Sequence, residues 1–332
     1  MLHLHHANYL EDLAGKLEQN LRTPLGEILT PEIIAIPGTA ISEWLTIRLA
    51  ADTGISANIR WLLPARLLWQ IFRDTLNEVP DANAFSADAL AWRVLPILED
   101  TGFTSRHPAL ARYLTGASAL HRWQLARQMG RLYEQYLVFR PDWILKWERG
   151  DARDWQGALW HGLASQGDAR HWLKWRKQLF EGLRQGSVSA SKLPERLSLF
   201  ALTGLSPAFL ELVSVVAEHT QVHIYHLNFS EGYWAEIVSE RERARLIVVA
   251  GEIVDEYLEI GNPLLATMGR QGRDQLAGLL QLKAVETEVF RSPSSTTLLG
   301  CIQSDIFELQ EKIIYYTFFT YVFNSKNFYF FR

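Results

Sequence analysis

The sequence predicts an α/β protein whose sheet domain is split by a large helical insertion. Three observations carry this. Strand and helix patterns alternate over the first sixty residues, the stretch from Pro64 to about residue 190 reads as helix almost throughout, and the alternation resumes at Leu197. Strands that alternate with helical patterns are the rhythm of a parallel sheet with helical crossovers.

Leu2-His3-Leu4-His5 alternates apolar and other residues and predicts a short strand. Leu10, Leu13, Leu17 and Leu21 recur at spacings of three and four, the apolar face of a helix. Glu32-Ile33-Ile34-Ala35-Ile36 is an apolar run of strand length ended by Pro37-Gly38, after which Thr39 is placed to cap a helix carrying Ile41, Trp44, Leu45 and Leu49. Pro64 suits the first turn of the next helix, whose stripe reads Leu68, Phe72, Leu76 and Val79. A later helix carries Leu125, Met129, Leu132, Tyr133, Tyr136 and Leu137 and stops at Pro141. Leu197 to Leu202 and Val222 to Leu227 are two more strands, with a helix bearing Phe209, Leu210, Leu212 and Val213 between them. A more charged helical stretch follows to about residue 312. The domain reading is therefore 1–63 as the first part of the sheet domain, 64–190 as the insertion, 191–312 as the return, and 313–332 as an aberrant tail. Ten of those last twenty residues are Phe or Tyr and none is acidic. Their bias toward residues with A/T-rich codons is the composition of out-of-frame read-through; an aromatic strand pair is the alternative.

Composition narrows the function classes. Hydrophobic residues make up 48% of the 332 and charged residues 21%, which excludes a disordered or disulfide-stapled chain. One cysteine, Cys301, excludes an internal disulfide or a multi-thiolate zinc site, fits a reducing compartment, and has no context for a nucleophile. No secretory leader and no long apolar span is legible, so the expectation is a cytoplasmic protein. The first strand–helix turn, His5-His6-Ala7-Asn8, sits where a phosphate cradle would, but it has no glycine run, and the first lysine is Lys16. Val254-Asp255-Glu256 resembles the acidic end of a nucleotide site only superficially. His3, His5 and His6 lack a partnering Cys or acidic cluster, so they read as structural rather than metal-binding.

The net charge is −4, from 33 basic and 37 acidic residues, so any nucleic-acid contact must be local. Between Thr101 and Lys192 there are 15 Lys or Arg against 7 Asp or Glu, the surplus that a phosphate-tracking groove requires, although taken alone it reads equally as a solvated, salt-bridged helix face. Arg66, Trp69 and Arg73 lie at i, i+3 and i+7 on one helix, and a ring between two guanidinium groups can stack an unpaired base. The competing reading packs Trp69 at the edge of the core.

Several ordered stretches then resemble one family. They are Gly54-Ile55-Ser56-Ala57-Asn58-Ile59, Leu63-Pro64-Ala65, Glu134-Gln135-Tyr136-Leu137-Val138-Phe139-Arg140-Pro141-Asp142-Trp143, Gly261-Asn262-Pro263-Leu264-Leu265-Ala266 and Ile302-Gln303-Ser304-Asp305-Ile306. From Met1 to about Lys312 the chain resembles the N-terminal region of the RecC family, the gamma subunit of bacterial exodeoxyribonuclease V. The resemblance implies a superfamily 1 helicase-like, P-loop NTPase-like fold with a degenerate nucleotide site. It implies a non-catalytic subunit that guides single-stranded DNA and scans it for Chi during double-strand break repair, with no cofactor of its own. ATP and Mg would be used by the partner subunits RecB and RecD. By the same resemblance Thr39, Leu63, Trp69, Leu132 and Arg140 match channel residues, and Glu134 keeps an acidic group. Pro37 and Glu43 stand where amides are usual, Arg131 replaces an acid and Lys174 replaces an arginine. Arg66 and Arg73 join the DNA-binding set on the residue pattern alone. Family members are several times longer, so the expectation is a truncated copy. An inactive remnant and an independent ATPase stay open as alternatives.

Overall fold

The computed structural model describes residues 1–27, 29–166, 170–250 and 261–310. The aromatic tail and Val254-Asp255-Glu256 lie outside the described residues. Among the described residues the fold is a six-stranded, wholly parallel sheet with helices on both faces and a helical body inserted between its third and fourth strands.

The chain begins with β1 (Leu2–Ala7), α1 (Leu10–Leu21), β2 (Glu32–Ala35), α2 (Thr39–Thr53) and β3 (Ile59–Leu62). The helical body follows as α3 (Pro64–Thr75), α4 (Ala87–Glu99), α5 (Thr101–Ser105), α6 (Pro108–Leu114), α7 (Ala119–Phe139), α8 (Pro141–Glu148), α9 (Trp155–Ala164) and α10 (Trp172–Gln185). The sheet then resumes with β4 (Arg196–Phe200), α11 (Pro207–Ala217) and β5 (Gln221–Leu227). The remainder comprises α12 (Glu240–Ala250), α13 (Pro263–Met268), α14 (Arg270–Leu280), β6 (Val285–Val289) and α15 (Leu298–Phe307). The strand order is β3-β2-β4-β5-β1-β6, so β1 lies inside the sheet between β5 and β6.

One face of the sheet, with Ala7, Ile34, Ile36, Phe200 and Tyr225, packs under Leu13 and Leu17 of α1 and Leu45 of α2. The other face, with Leu4, Ile33, Leu199 and Ile224, merges with α11, α3 and the helical body into one larger core. Among the described residues no helix is long and apolar enough to cross a membrane.

Five histidines line the β1–β5 pair. On the α1 face the rings of His3, His5 and His223 stack within 9° of parallel, and His5 lies over Tyr225. The Asn20 side chain reaches down from α1 to donate to the Tyr225 hydroxyl at 2.7 Å. On the opposite face His6 and His226 meet through their Nδ1 atoms at 3.2 Å. Burial pushes His5 and His6 down to about 4, and His223 and His226 down to about 3. Among the described residues no group of three or more His, Cys, Asp or Glu side chains is arranged to hold a metal ion.

Several expectations need correction. Thr39 does not cap α2: it is the first helical residue, and Gly38 occupies the cap with no side-chain hydrogen bond. The buried stripe of α3 is Leu67, Ile71, Phe72 and Thr75 rather than Leu68, Phe72, Leu76 and Val79. The helix stops at Thr75, so Leu76 is buried as the chain turns away and does not extend the helical period. Two strands, β3 and β6, were not anticipated. In the stretch around β3, Gly54 closes α2 at φ +81° and Asn58 sits at φ 56°, left-handed conformations that Gly and Asn tolerate best.

Candidate nucleic-acid interface

The site is set by the carboxyl edge of two neighbouring strands. β2 and β3 run parallel in register from Glu32 opposite Ile59 to Ala35 opposite Leu62, and the Ile36 amide donates to the Leu62 carbonyl at 2.9 Å. Each strand hands over to a helix at that edge, α2 starting at Thr39 and α3 at Pro64. Thr39 and Glu43, one turn apart on α2, are exposed, as is Leu63, 43% exposed at the cap of α3; none of the three lines the groove formed by α3. The carboxyl ends of parallel strands are where α/β sheets bind ligands, because the following loops and helix starts converge there.

Burial of Leu67 and Ile71 leaves Arg66, Trp69 and Arg73 to line a groove of about 750 Å³, together with Arg60 from β3 and Glu134 from α7. Trp69 takes part of each competing role. Its ring is half-buried edge-on to Phe72, and its indole N–H donates to the Pro80 carbonyl at 2.9 Å, yet it also forms groove wall. These contacts lock the ring, which lowers the entropy that any group stacking on it would have to offset. Arg73 is not free: its guanidinium pairs with Asp81 at 2.6 Å. The Glu134 carboxylate accepts from the Ala87 amide at 3.3 Å and so ties α7 to the start of α4. The groove holds three guanidinium groups and three carboxylates, since Asp74 also lines it. With Asp81 held by Arg73, Arg60 and Arg66 are left without ion pairs among the described residues.

The other expected residues lie elsewhere. Leu132 is half-buried against the main core, and Arg131 beside it is exposed. Arg140, at the joint between α7 and α8, grips Asp142 through two hydrogen bonds of 3.1 and 3.0 Å and lies 3.7 Å over the Trp143 ring. Those hydrogen bonds hold the Asp142 carboxyl below the usual carboxylate range. Lys174, on α10, sits 3.4 Å from Glu148, which also meets His171 at 2.7 Å. Neither Arg140 nor Lys174 lines the groove. Arg60 was missed because four residues with a charged interruption do not stand out as a strand.

The turn between β1 and α1 is occupied by the chain itself. The Asn8 amide donates to the Arg291 carbonyl at 2.7 Å and accepts from the Arg291 amide at 3.1 Å. The Arg291 guanidinium then spans Asp12 at 2.6 Å and the Tyr9 ring at 4.5 Å. Arg291 thus straps the turn at the carboxyl end of β1 through backbone, carboxylate and ring contacts.

Comparison with known proteins adds to this geometry. Residues 2–309 match the family model described as RecC, N-terminal domain. The RecBCD enzyme subunit RecC of Escherichia coli (strain K12) is 29% identical over 95% of this chain and 31% of the relative. The corresponding subunit of Haemophilus influenzae is 26% identical over 94% of the chain and 34% of the relative. That of Mycolicibacterium smegmatis is 30% identical over 92% and 28%. The chain spans about a third of the length of these relatives.

Proposed function

The chain belongs to the RecC N-terminal domain family, and from that premise we propose that it is the strand-guiding part of a RecBCD-type complex. In this reading it contributes no catalytic group of its own. RecB and RecD are its partners, and its task in DNA repair and recombination is to hold an unpaired strand, scanning it for a signal sequence of the Chi kind. The fold, in this reading, is a helicase-like domain that has lost its nucleotide site. The Asn8–Arg291 strap supports that view, because the backbone and side chains at the first turn are already engaged with one another.

One observation carries the proposal: Trp69 stands in a groove beside the carboxyl end of β3, lined also by Arg60 and Arg66, which have no ion pair among the described residues. An indole supplies a sequence-tolerant platform for a base, and guanidinium groups attract the flanking phosphates. Glu43 presents a carboxylate, which cannot reproduce the paired donor and acceptor contacts of an amide to a base edge. Strand binding is therefore expected to persist with a changed sequence preference.

The test is fluorescence anisotropy of a labelled single-stranded oligonucleotide with the full chain. Trp69→Ala is expected to cost ~1–3 kcal/mol of binding. Replacing Arg60 and Arg66 by Gln should flatten the salt dependence by about 1.4 in the log–log slope, from about 0.7 per phosphate. Unchanged binding by Trp69→Ala would show the groove assignment to be wrong. Failure of the chain to capture RecB in a pull-down would favour the inactive-remnant reading.

A further inference from the structure

Glu134 is where α7 lines the groove, and the same face of that helix carries further charged and aromatic residues. On α7 the residues Trp123, Arg127, Arg131 and Glu134 follow one another at spacings of four, four and three. At about 100° per residue they fall within an arc of about 80° on one helix face. Arg127 and Arg131 are exposed and have no ion pair among the described residues. The rise from Glu134 to Trp123 is about 16 Å. α4 runs antiparallel beside this face. Its first residue, Ala87, meets Gly130 and Glu134, and Trp92 meets Trp123 with ring centroids 4.4 Å apart and planes tilted by 43°.

Of this indole pair, Trp123 is half-buried against the main core, but Trp92 is not part of that core. Trp92 is 66% exposed and lies off the buried stripe of α4, which is Leu90, Ala91, Val94 and Leu98. Neither indole N–H has a hydrogen-bond partner among the described residues. An exposed indole outside the core, held in place by a second indole that the core anchors, suits a recognition surface. Its neighbours on α7 are cationic, and the one nearby acid on α4 is Asp88, exposed a turn before Trp92. Apolar protein interfaces are depleted of charge at their centres, whereas single-strand sites combine rings with guanidinium groups.

We propose that the Trp92–Trp123 pair is a second stacking platform for the unpaired strand, joined to the Trp69 groove by Arg127 and Arg131 as phosphate contacts. The inference rests on the reading of the groove as a single-strand site and extends it by a defined path across α4 and α7.

The experiment compares two oligothymidylates, one of about 5 and one of about 15 nucleotides, within the range of single-strand site sizes. The full chain is used, with far-ultraviolet circular dichroism confirming that each variant is folded. The double variant Trp92→Ala/Trp123→Ala is expected to weaken the longer oligonucleotide roughly 5- to 150-fold and leave the shorter one unchanged. Trp69→Ala should weaken both. Arg127→Gln/Arg131→Gln should lower the salt slope for the longer oligonucleotide by about 1.4 and not that for the shorter. Unchanged binding of the longer oligonucleotide by the indole variant, with Trp69→Ala still impaired, overturns the second platform and leaves the groove standing. The reverse pattern removes the groove and keeps the platform. If the indole variant binds DNA normally but loses a partner subunit in a manner insensitive to salt, the face docks protein and the proposal is wrong.

Discussion

Acid should destabilise this protein well before its carboxylates titrate, because the β1–β5 pair buries neutral histidines. The folded values of His5 and His6 are about 4 and those of His223 and His226 about 3, against an ordinary value of 6.5. Burial is the largest cause for all four, and Lys16 adds repulsion at His5 and His223. A base whose folded value is depressed favours the folded state above its unfolded value, and that advantage disappears as pH falls below 6.5. Between 6.5 and the folded values the unfolded chain binds more protons, so stability falls with falling pH. Summed over the four rings, the loss from pH 7.5 to pH 6 is about 3 kcal/mol, and by pH 5.5 about 5 kcal/mol. Typical domains have about 5–15 kcal/mol in total, so the loss is large. Urea unfolding followed by tryptophan fluorescence across this range measures it directly. Near pH 5.5 these four rings alone should add about 3.6 protons to the uptake on unfolding, and His226→Leu should lower the total by about 0.9. Stability that stays flat down to pH 5.5 would refute the buried, neutral state of these rings.

Two further predictions concern packing. A side chain at Gly130 would place its Cβ 2.3 Å from the Ala87 carbonyl oxygen, so Gly130→Val should push α4 from α7 and cost about 1–3 kcal/mol in chemical denaturation. Single-strand affinity should fall with it, since that packing also sets the Glu134 contact. Arg196, 4% exposed, grips Glu32 and the carbonyls of Asn20 and Thr23. Arg196→Met should cost about 3–5 kcal/mol by leaving Glu32 unpaired, and adding Glu32→Leu should recover much of that loss in the same denaturation assay.

The strands with continuous apolar or alternating patterns, β1, β2, β4 and β5, were legible because burial imposes those patterns on neighbouring residues. β6 has a clean alternation, Val285-Glu286-Thr287-Glu288-Val289, but its two glutamates blend into a charged stretch that reads as helix. On α3, leucines at two adjacent positions offered two possible stripes, and Leu76 and Val79 favoured the wrong one although they lie past the helix end. The Arg66, Trp69 and Arg73 cluster was visible because it is local to one helix. What holds it was not: Asp81 and Pro80 return from a loop, and Glu134 arrives from a helix sixty residues on. The pairing of Trp92 with Trp123 depends on the register of two helices, which no single-helix pattern encodes.

The interior position of β1 has a consequence for biosynthesis. Its partners β5 and β6 lie more than two hundred residues downstream. At synthesis rates of about 5–20 residues per second, the opening strand waits roughly 10–40 s for its first neighbour to emerge from the ribosome. The intervening helices rely on nearer contacts and are free to assemble in that interval. The nascent chain thus carries an unpaired, histidine-rich ribbon ahead of an already folded bundle, and that ribbon is the segment a trigger-type chaperone would have most reason to shield.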